Sequence, residues 1–240
     1  MKIKIKGMDI NYIQYGEGRD IILLHGWGQN IEMMMPLGDR FKNNYRITIL
    51  DLPGFGSSDE PSTPLSIYDY SDILEEFIEK LKISNPIVMG HSFGGRVAII
   101  YASHNSVDKL ILFGSPCVRR QKELSFKVKM LKSLKKVPGL NKLEGFAKKH
   151  IGSRDYKAAS PMMRQILVNT VNADLSSEAS KIGCPTLLFW GSEDAEAPLE
   201  EAKELEEIIP DAGLIVFEGL SHYAYLENLN GVVNILKKFL

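Results

Sequence analysis

Five short runs of consecutive apolar residues limit what this chain can fold into more than any other feature. They are Ile21-Ile22-Leu23-Leu24, Ile87-Val88-Met89, Leu110-Ile111-Leu112-Phe113, Leu187-Leu188-Phe189-Trp190 and Leu214-Ile215-Val216-Phe217. A strand with one wet face alternates apolar and polar residues, so a strand with no polar member must be covered on both faces. That requirement is met by a parallel sheet with helices on each side. Arg46-Ile47-Thr48-Ile49-Leu50 reads as a further strand, and the alternation of Ile3, Ile5, Ile10 and Tyr12 with polar residues reads as an N-terminal antiparallel hairpin with one wet face. Between the runs lie the covering helices. The strongest starts at Ser66 and is periodic through Ile67, Tyr70, Ile73, Leu74, Phe77, Ile78 and Leu81. Others are expected over about Ile31–Phe41, from Phe93 to about His104, Leu199–Ile208 and Gly231–Leu240.

The alternation stops after the Leu110–Phe113 run. From Cys117 to Gln165 there is no buried-strand signal, and amphipathic helical stretches over about Gln121–Lys136 and Lys142–His150 take its place, separated by Pro138-Gly139. This block carries 14 Lys and Arg against 3 Asp and Glu, a charge of +11. The chain as a whole stands at −1, so the remainder is −12. Strand–helix alternation on both sides of a helical block predicts a helical insertion in a mostly parallel sheet. The expected division is a core of residues 1–116 and 171–240 with a basic helical cap at 117–170.

Chemistry concentrates at Gly90-His91-Ser92-Phe93-Gly94, where an apolar run turns directly into a helix. A serine on so sharp a turn is held in a strained conformation with its hydroxyl exposed. The close approach of strand and helix leaves no room for a Cβ at either glycine. A serine hydroxyl needs a base to take its proton, usually a histidine oriented by a carboxylate. Functional groups of parallel sheets gather beyond the carboxyl ends of strands. Of the five histidines, His25, His91, His104, His150 and His222, the last follows the last predicted strand. Asp194, in Gly191-Ser192-Glu193-Asp194, follows the one before it, with Glu193 the second choice. Oxyanion donors are expected from the backbone N–H of Phe93 and, in the His25-Gly26-Trp27-Gly28 turn, from that of Trp27.

Taken together, His25-Gly26-Trp27-Gly28, Asp51-Leu52-Pro53-Gly54-Phe55-Gly56-x-Ser58, Gly90-His91-Ser92-Phe93-Gly94-Gly95, Gly191-x-x-Asp194-x-x-x-Pro198 and Gly219-x-x-His222 resemble the α/β-hydrolase superfamily, in its branch with a serine nucleophile and a helical cap. The resemblance covers essentially the whole chain. It implies an α/β-hydrolase fold, with a mostly parallel eight-stranded sheet, helices on both faces and a lid inserted after the sixth strand. It also implies that Asp51–Ser58 is a structural turn. The triad order Ser, Asp, His is the one expected of the family. Serine at the nucleophile position points away from the dehalogenase and epoxide hydrolase branches, which place aspartate there. The activity implied is a serine carboxylesterase for small to medium acyl esters, with no metal or organic cofactor.

The layout is also similar to that of pimeloyl-carrier-protein methyl ester esterases, whose cap binds an acidic carrier protein. The basic block offers such a docking face, or a solvated lysine face. Leu124, Val128, Met130, Leu131, Leu134, Met162 and Met163 either line an acyl pocket or pack the cap onto the body. Ligand-responsive signalling proteins, cofactor-free C–C hydrolases and a lyase share the triad layout and remain alternatives. Near-neutral charge points away from nucleic acid, and no run approaches the roughly 18 apolar residues of a membrane span. Two lone cysteines and a lysine-interrupted N-terminus lead to the expectation of a cytoplasmic protein without disulfides or a signal peptide.

Overall fold

The computed structural model describes residues 1–118 and 154–240. The helices expected over Gln121–Lys136 and Lys142–His150, and with them Arg119, Arg120, Lys122 and the apolar residues from Leu124 to Leu134, lie outside the described residues. Eight strands form one sheet: β1 (Lys2–Ile5), β2 (Met8–Tyr15), β3 (Arg19–Leu24), β4 (Tyr45–Leu50), β5 (Ile87–His91), β6 (Lys109–Phe113), β7 (Thr186–Gly191) and β8 (Ala212–Phe217), in the order β1-β2-β4-β3-β5-β6-β7-β8. β2 runs antiparallel to both β1 and β4, and every other neighbouring pair is parallel. The β1–β2 hairpin turns on Lys6 and Gly7, both at positive φ, the backbone a tight two-residue hairpin requires.

The runs of β3, β5 and β6 are explained residue by residue, whereas the Leu214–Phe217 run, expected to be covered on both faces, lies on the edge strand β8 and is only half-buried at each position. Ile22, Leu24, Val88, Leu110 and Leu112 point into one core with α2 (Ile67–Lys80) and α3 (Phe93–His104). Their neighbours Ile21, Leu23, Ile87, Met89, Ile111 and Phe113 point into a second core with α1 (Ile31–Gly38) and the C-terminal helix Leu229–Phe239. Successive side chains of a strand face opposite sides, so two cores require apolar residues at every position. Helix α1 is shorter than the expected span to Phe41. Beyond it the N–H groups of Arg40 and Phe41 bond three residues back, to Leu37 and Gly38, a tighter turn than the α-helix.

Between β6 and β7 the described residues are helical: α4 (Arg154–Ala158), α5 (Pro161–Val171) and α6 (Ser176–Ala179). Met163 and Ile166 of α5 are buried in the same core as α2 and α3. Arg96, on α3, joins this segment to the body. Its buried guanidinium donates to the backbone oxygens of Pro116 at 2.7 Å, Thr170 at 3.1 Å and Ala173 at 2.6 Å. One side chain thus ties the chain leaving β6 to the chain returning toward β7. Both cysteines are free and buried. Burial pushes the Cys117 thiol up to about 12, so it is an unreactive core residue.

Candidate active site

The carboxyl ends of β3, β5, β7 and β8 bring the sequence-selected residues to one edge of the sheet. At the end of β5, Ser92 has φ 50° and ψ −112°, a left-handed conformation that side chains rarely adopt. Its N–H bonds to Phe113 O at 2.9 Å. The flanking glycines have the steric reason anticipated. A Cβ on Gly90 would lie 2.5 Å from the Cα of Gly95, and one on Gly94 would lie 2.5 Å from the backbone oxygen of His25. The second contact also shows that the start of α3 abuts the loop after β3. In that loop Trp27 is partly buried, with its ring edge-on to Phe55 at 4.9 Å and to Phe93 at 5.2 Å. The two segments expected to supply oxyanion donors are therefore packed together.

Beyond β7, the Asp194 carboxylate is fully buried and accepts three hydrogen bonds. Oδ1 takes the N–H groups of Glu196 at 2.9 Å and Ala197 at 2.8 Å, which leaves Oδ2 for His222 Nδ1 at 2.7 Å. The loop is pinned from behind by the Trp190 indole, which donates to Ala197 O at 2.6 Å. Glu193, the second choice, is exposed. His222 is buried in the loop after β8, which passes so close to β7 that a Cβ on Gly191 would collide with the backbone oxygens of Leu220 and Ser221.

Two neighbours of this pair were not selected from the sequence. Gly114, at φ 50°, follows β6, and a Cβ there would lie 3.0 Å from His222 Nδ1 and 3.1 Å from Asp194 Oδ2. A glycine just after a buried strand was the only available signal. Glu196 places Oε2 3.5 Å from His222 Nε2, although its side chain is largely exposed. Nothing in the sequence distinguishes it from the surrounding acidic residues.

The remaining histidines separate by environment. His104 is exposed and His150 lies outside the described residues. His25 is fully buried; it accepts the Leu52 N–H at 3.0 Å through Nε2, which puts its proton on Nδ1, 2.7 Å from Gly26 O. It therefore holds the turn that carries Trp27. The Asp51–Ser58 turn is organised by Asp51, which accepts from Ile31 N, Ser57 N and Asn11 Nδ2, each at 2.8 Å. These bonds hold the turn together.

Burial, the largest cause in each case, holds His25 down to about 4 and His91 to about 3, against an ordinary value near 6.5. The unfolded chain then binds protons that the folded chain does not, so stability falls as pH drops below about 6.5 and continues falling toward 4. The two imidazoles together give a slope of at most about 2.7 kcal/mol per pH unit. Urea midpoints measured between pH 7 and 5 should fall with this sign. His25→Gln should flatten the dependence, and an unchanged midpoint in the parent chain would contradict the neutral buried state.

A family model described as the alpha/beta hydrolase fold matches residues 21–143. The chain belongs to the α/β-hydrolase family. Its relatives include the AB hydrolase superfamily protein YisY of Bacillus subtilis, 29% identical, with 93% of this chain and 92% of that protein covered. They also include a pimeloyl-acyl-carrier-protein methyl ester esterase of Aliivibrio fischeri, 24% identical, with 94% and 95% covered. Among solved structures, an esterase from Exiguobacterium antarcticum superposes with a TM-score of 0.79 at 26% identity, covering 99% of this chain and 98% of the other. The eight-stranded, mostly parallel sheet with helices on both faces is the α/β-hydrolase fold expected from the motifs. Among the described residues of this α/β-hydrolase, no group of His, Cys, Asp and Glu could hold a metal ion, and no helix is long and apolar enough to cross a membrane.

Proposed function

We propose that this α/β-hydrolase is a serine carboxylesterase for small to medium acyl esters, working through an acyl-enzyme. The observation that carries the reading is the buried Asp194–His222 pair, held at the sheet edge where the strained turn presents Ser92. In the first half-reaction His222 Nε2 takes the Ser92 proton as Oγ attacks the ester carbonyl. The N–H groups of Trp27 and Phe93 stabilise the oxyanion of the tetrahedral intermediate, and the imidazolium returns its proton to the departing alcohol. In the second half, His222 activates water, which attacks the acyl-serine and releases the acid. Asp194 keeps the proton of neutral His222 on Nδ1, so the Nε2 lone pair is free to act as base, and it stabilises the imidazolium formed in each half.

The test is turnover of p-nitrophenyl esters from acetate to decanoate. Hydrolysis with an optimum at short to medium chain length is expected. A folded protein that turns over none of them overturns the reading and moves weight to the signalling or C–C bond alternatives.

A second reading is favoured by the +11 charge between Cys117 and Gln165 and by the relative that is a carrier-protein methyl ester esterase. Here residues 117–170 form a cap that docks an acidic carrier protein bearing the ester. Neutralising Arg119, Arg120 and Lys122 together should then lower kcat/KM for a carrier-linked methyl ester about tenfold or more at low salt, with less loss at high salt. Turnover of a small neutral ester should be unchanged. Equal effects on both substrates would remove the docking reading and leave the esterase reading intact.

A further inference from the structure

The mechanism above uses neither His91 nor Gln29, yet both stand between its parts. The His91 ring is fully buried, with ring centroids 4.8 Å from His222, 5.3 Å from Tyr223 and 4.8 Å from Tyr225. Both of its nitrogens face oxygen. Nε2 is 3.1 Å from the backbone oxygen of His222, and Nδ1 is 3.3 Å from Gln29 Oε1. The Gln29 amide is fixed in this orientation, since Oε1 accepts the Gly26 N–H at 2.9 Å and Nε2 donates to the Tyr223 hydroxyl at 3.3 Å.

A protonated ring would satisfy both oxygens, but burial keeps the ring neutral, with a single N–H to place. The shorter approach places it on Nε2, donating to the His222 carbonyl. His222 is then held at two points. Its ring is oriented by Asp194, and its backbone is fixed by His91. Together the two bonds determine where His222 Nε2 stands. A displacement of about 1 Å at such a group is enough to lower a rate about a hundredfold.

We propose that His91 is a positioning residue for the reaction: its Nε2–H fixes the backbone of His222. The inference rests on the reading of Ser92 and His222 as nucleophile and base.

Two polar substitutions separate this role from a merely structural one. Glutamine at position 91 carries an amide N–H at about the reach of Nε2; asparagine carries one at about the reach of Nδ1. On a p-nitrophenyl ester that the parent chain hydrolyses, His91→Gln should lower kcat by no more than about threefold. His91→Asn should lower it about ten- to a hundredfold, the size of loss that a displacement of about 1 Å at the base causes. KM should stay unchanged in both; the unpaired His222 carbonyl should also lower the His91→Asn melting temperature, so all proteins are assayed well below their transitions. Equal kcat in the two variants overturns the proposal, as does a loss that appears in KM. Should His91→Asn fail to fold, His91→Met, which fills the space without a donor, takes its place: a several-fold fall in kcat at constant KM supports the proposal, and no change overturns it. Ser92→Ala, assayed beside them, distinguishes the two levels. If it is inactive while His91→Asn matches the parent chain, only the positioning role fails. If it is as active as the parent chain, the nucleophile assignment fails instead.

Discussion

Replacing Ser92 with alanine is expected to lower ester turnover by about five to six orders of magnitude, the size seen when the nucleophile of a serine hydrolase is removed. The fold should tolerate the change. Alanine has the same Cβ as serine, so it neither adds to nor relieves the strain of φ 50°. The Ser92 hydroxyl makes no capping bond to α3, and the bonds at the turn are backbone ones, the Ser92 N–H to Phe113 O and the Arg96 N–H to Ser92 O. Melting temperatures of the two proteins should therefore agree to within about 2 °C, which corresponds to less than about 1 kcal/mol for a domain of this size. The assay is the p-nitrophenyl ester series with both proteins purified identically, together with mass spectrometry after exposure to a fluorophosphonate. The parent chain should gain one adduct, on the Gly90–Gly94 peptide, and the variant none. Equal rates would show that another group performs the chemistry.

Asp194→Asn is expected to lower kcat by about four orders of magnitude at neutral pH with little change in KM. The hydrogen bonds around Asp194 explain why a change of one atom should matter so much. Oδ1 accepts two backbone N–H groups, from Glu196 and Ala197. In the variant only the amide oxygen can occupy that position, so the NH2 group must turn toward His222 Nδ1. It can bond there only to a lone pair, and this forces the imidazole proton onto Nε2. On the proposed mechanism His222 then has no lone pair with which to take the Ser92 proton and loses the carboxylate that stabilises its protonated form. Because the geometry is preserved, the loss should appear in kcat while the melting temperature changes modestly. Glu193→Gln is the matched control. Its side chain is exposed, and it should remain within about twofold of the parent chain. If Glu193→Gln lost activity and Asp194→Asn did not, the orienting carboxylate would be misassigned.

The centre of the sheet was legible because β3, β5, β6 and β7 are buried on both faces. Each apolar run had to contribute to two cores, and the observed division of Ile21 and Leu23 from Ile22 and Leu24 follows directly from the two-residue period of a strand. Gly90 and Gly94 were equally legible, because a helix starting two residues after a strand forces backbones together. Other features arise only from contacts between distant segments. Asp194 and Glu193 are adjacent and chemically alike in sequence. They differ because the loop around Trp190 and Ala197 turns one carboxylate inward to His222 and leaves the other in water. Gly114 has meaning only because the His222 loop packs over it, and Arg96, which would read as an ordinary helix-surface cation, is buried because two remote chain segments bring their carbonyls to it.

Local sequence periodicity and close-approach glycines thus specify the layers, the strand-to-helix turn and the strand ends at which reactive groups gather. These depend on backbone geometry and on burial averaged over a segment, and each segment records both in its own residues. Hydrogen-bond partners, the tautomers of His25, His91 and His222, and the choice of one carboxylate over its neighbour depend on where single atoms of separate loops meet. No segment carries that information alone, and for this chain it was decided by the packing of the loops after β3, β5, β7 and β8 against one another.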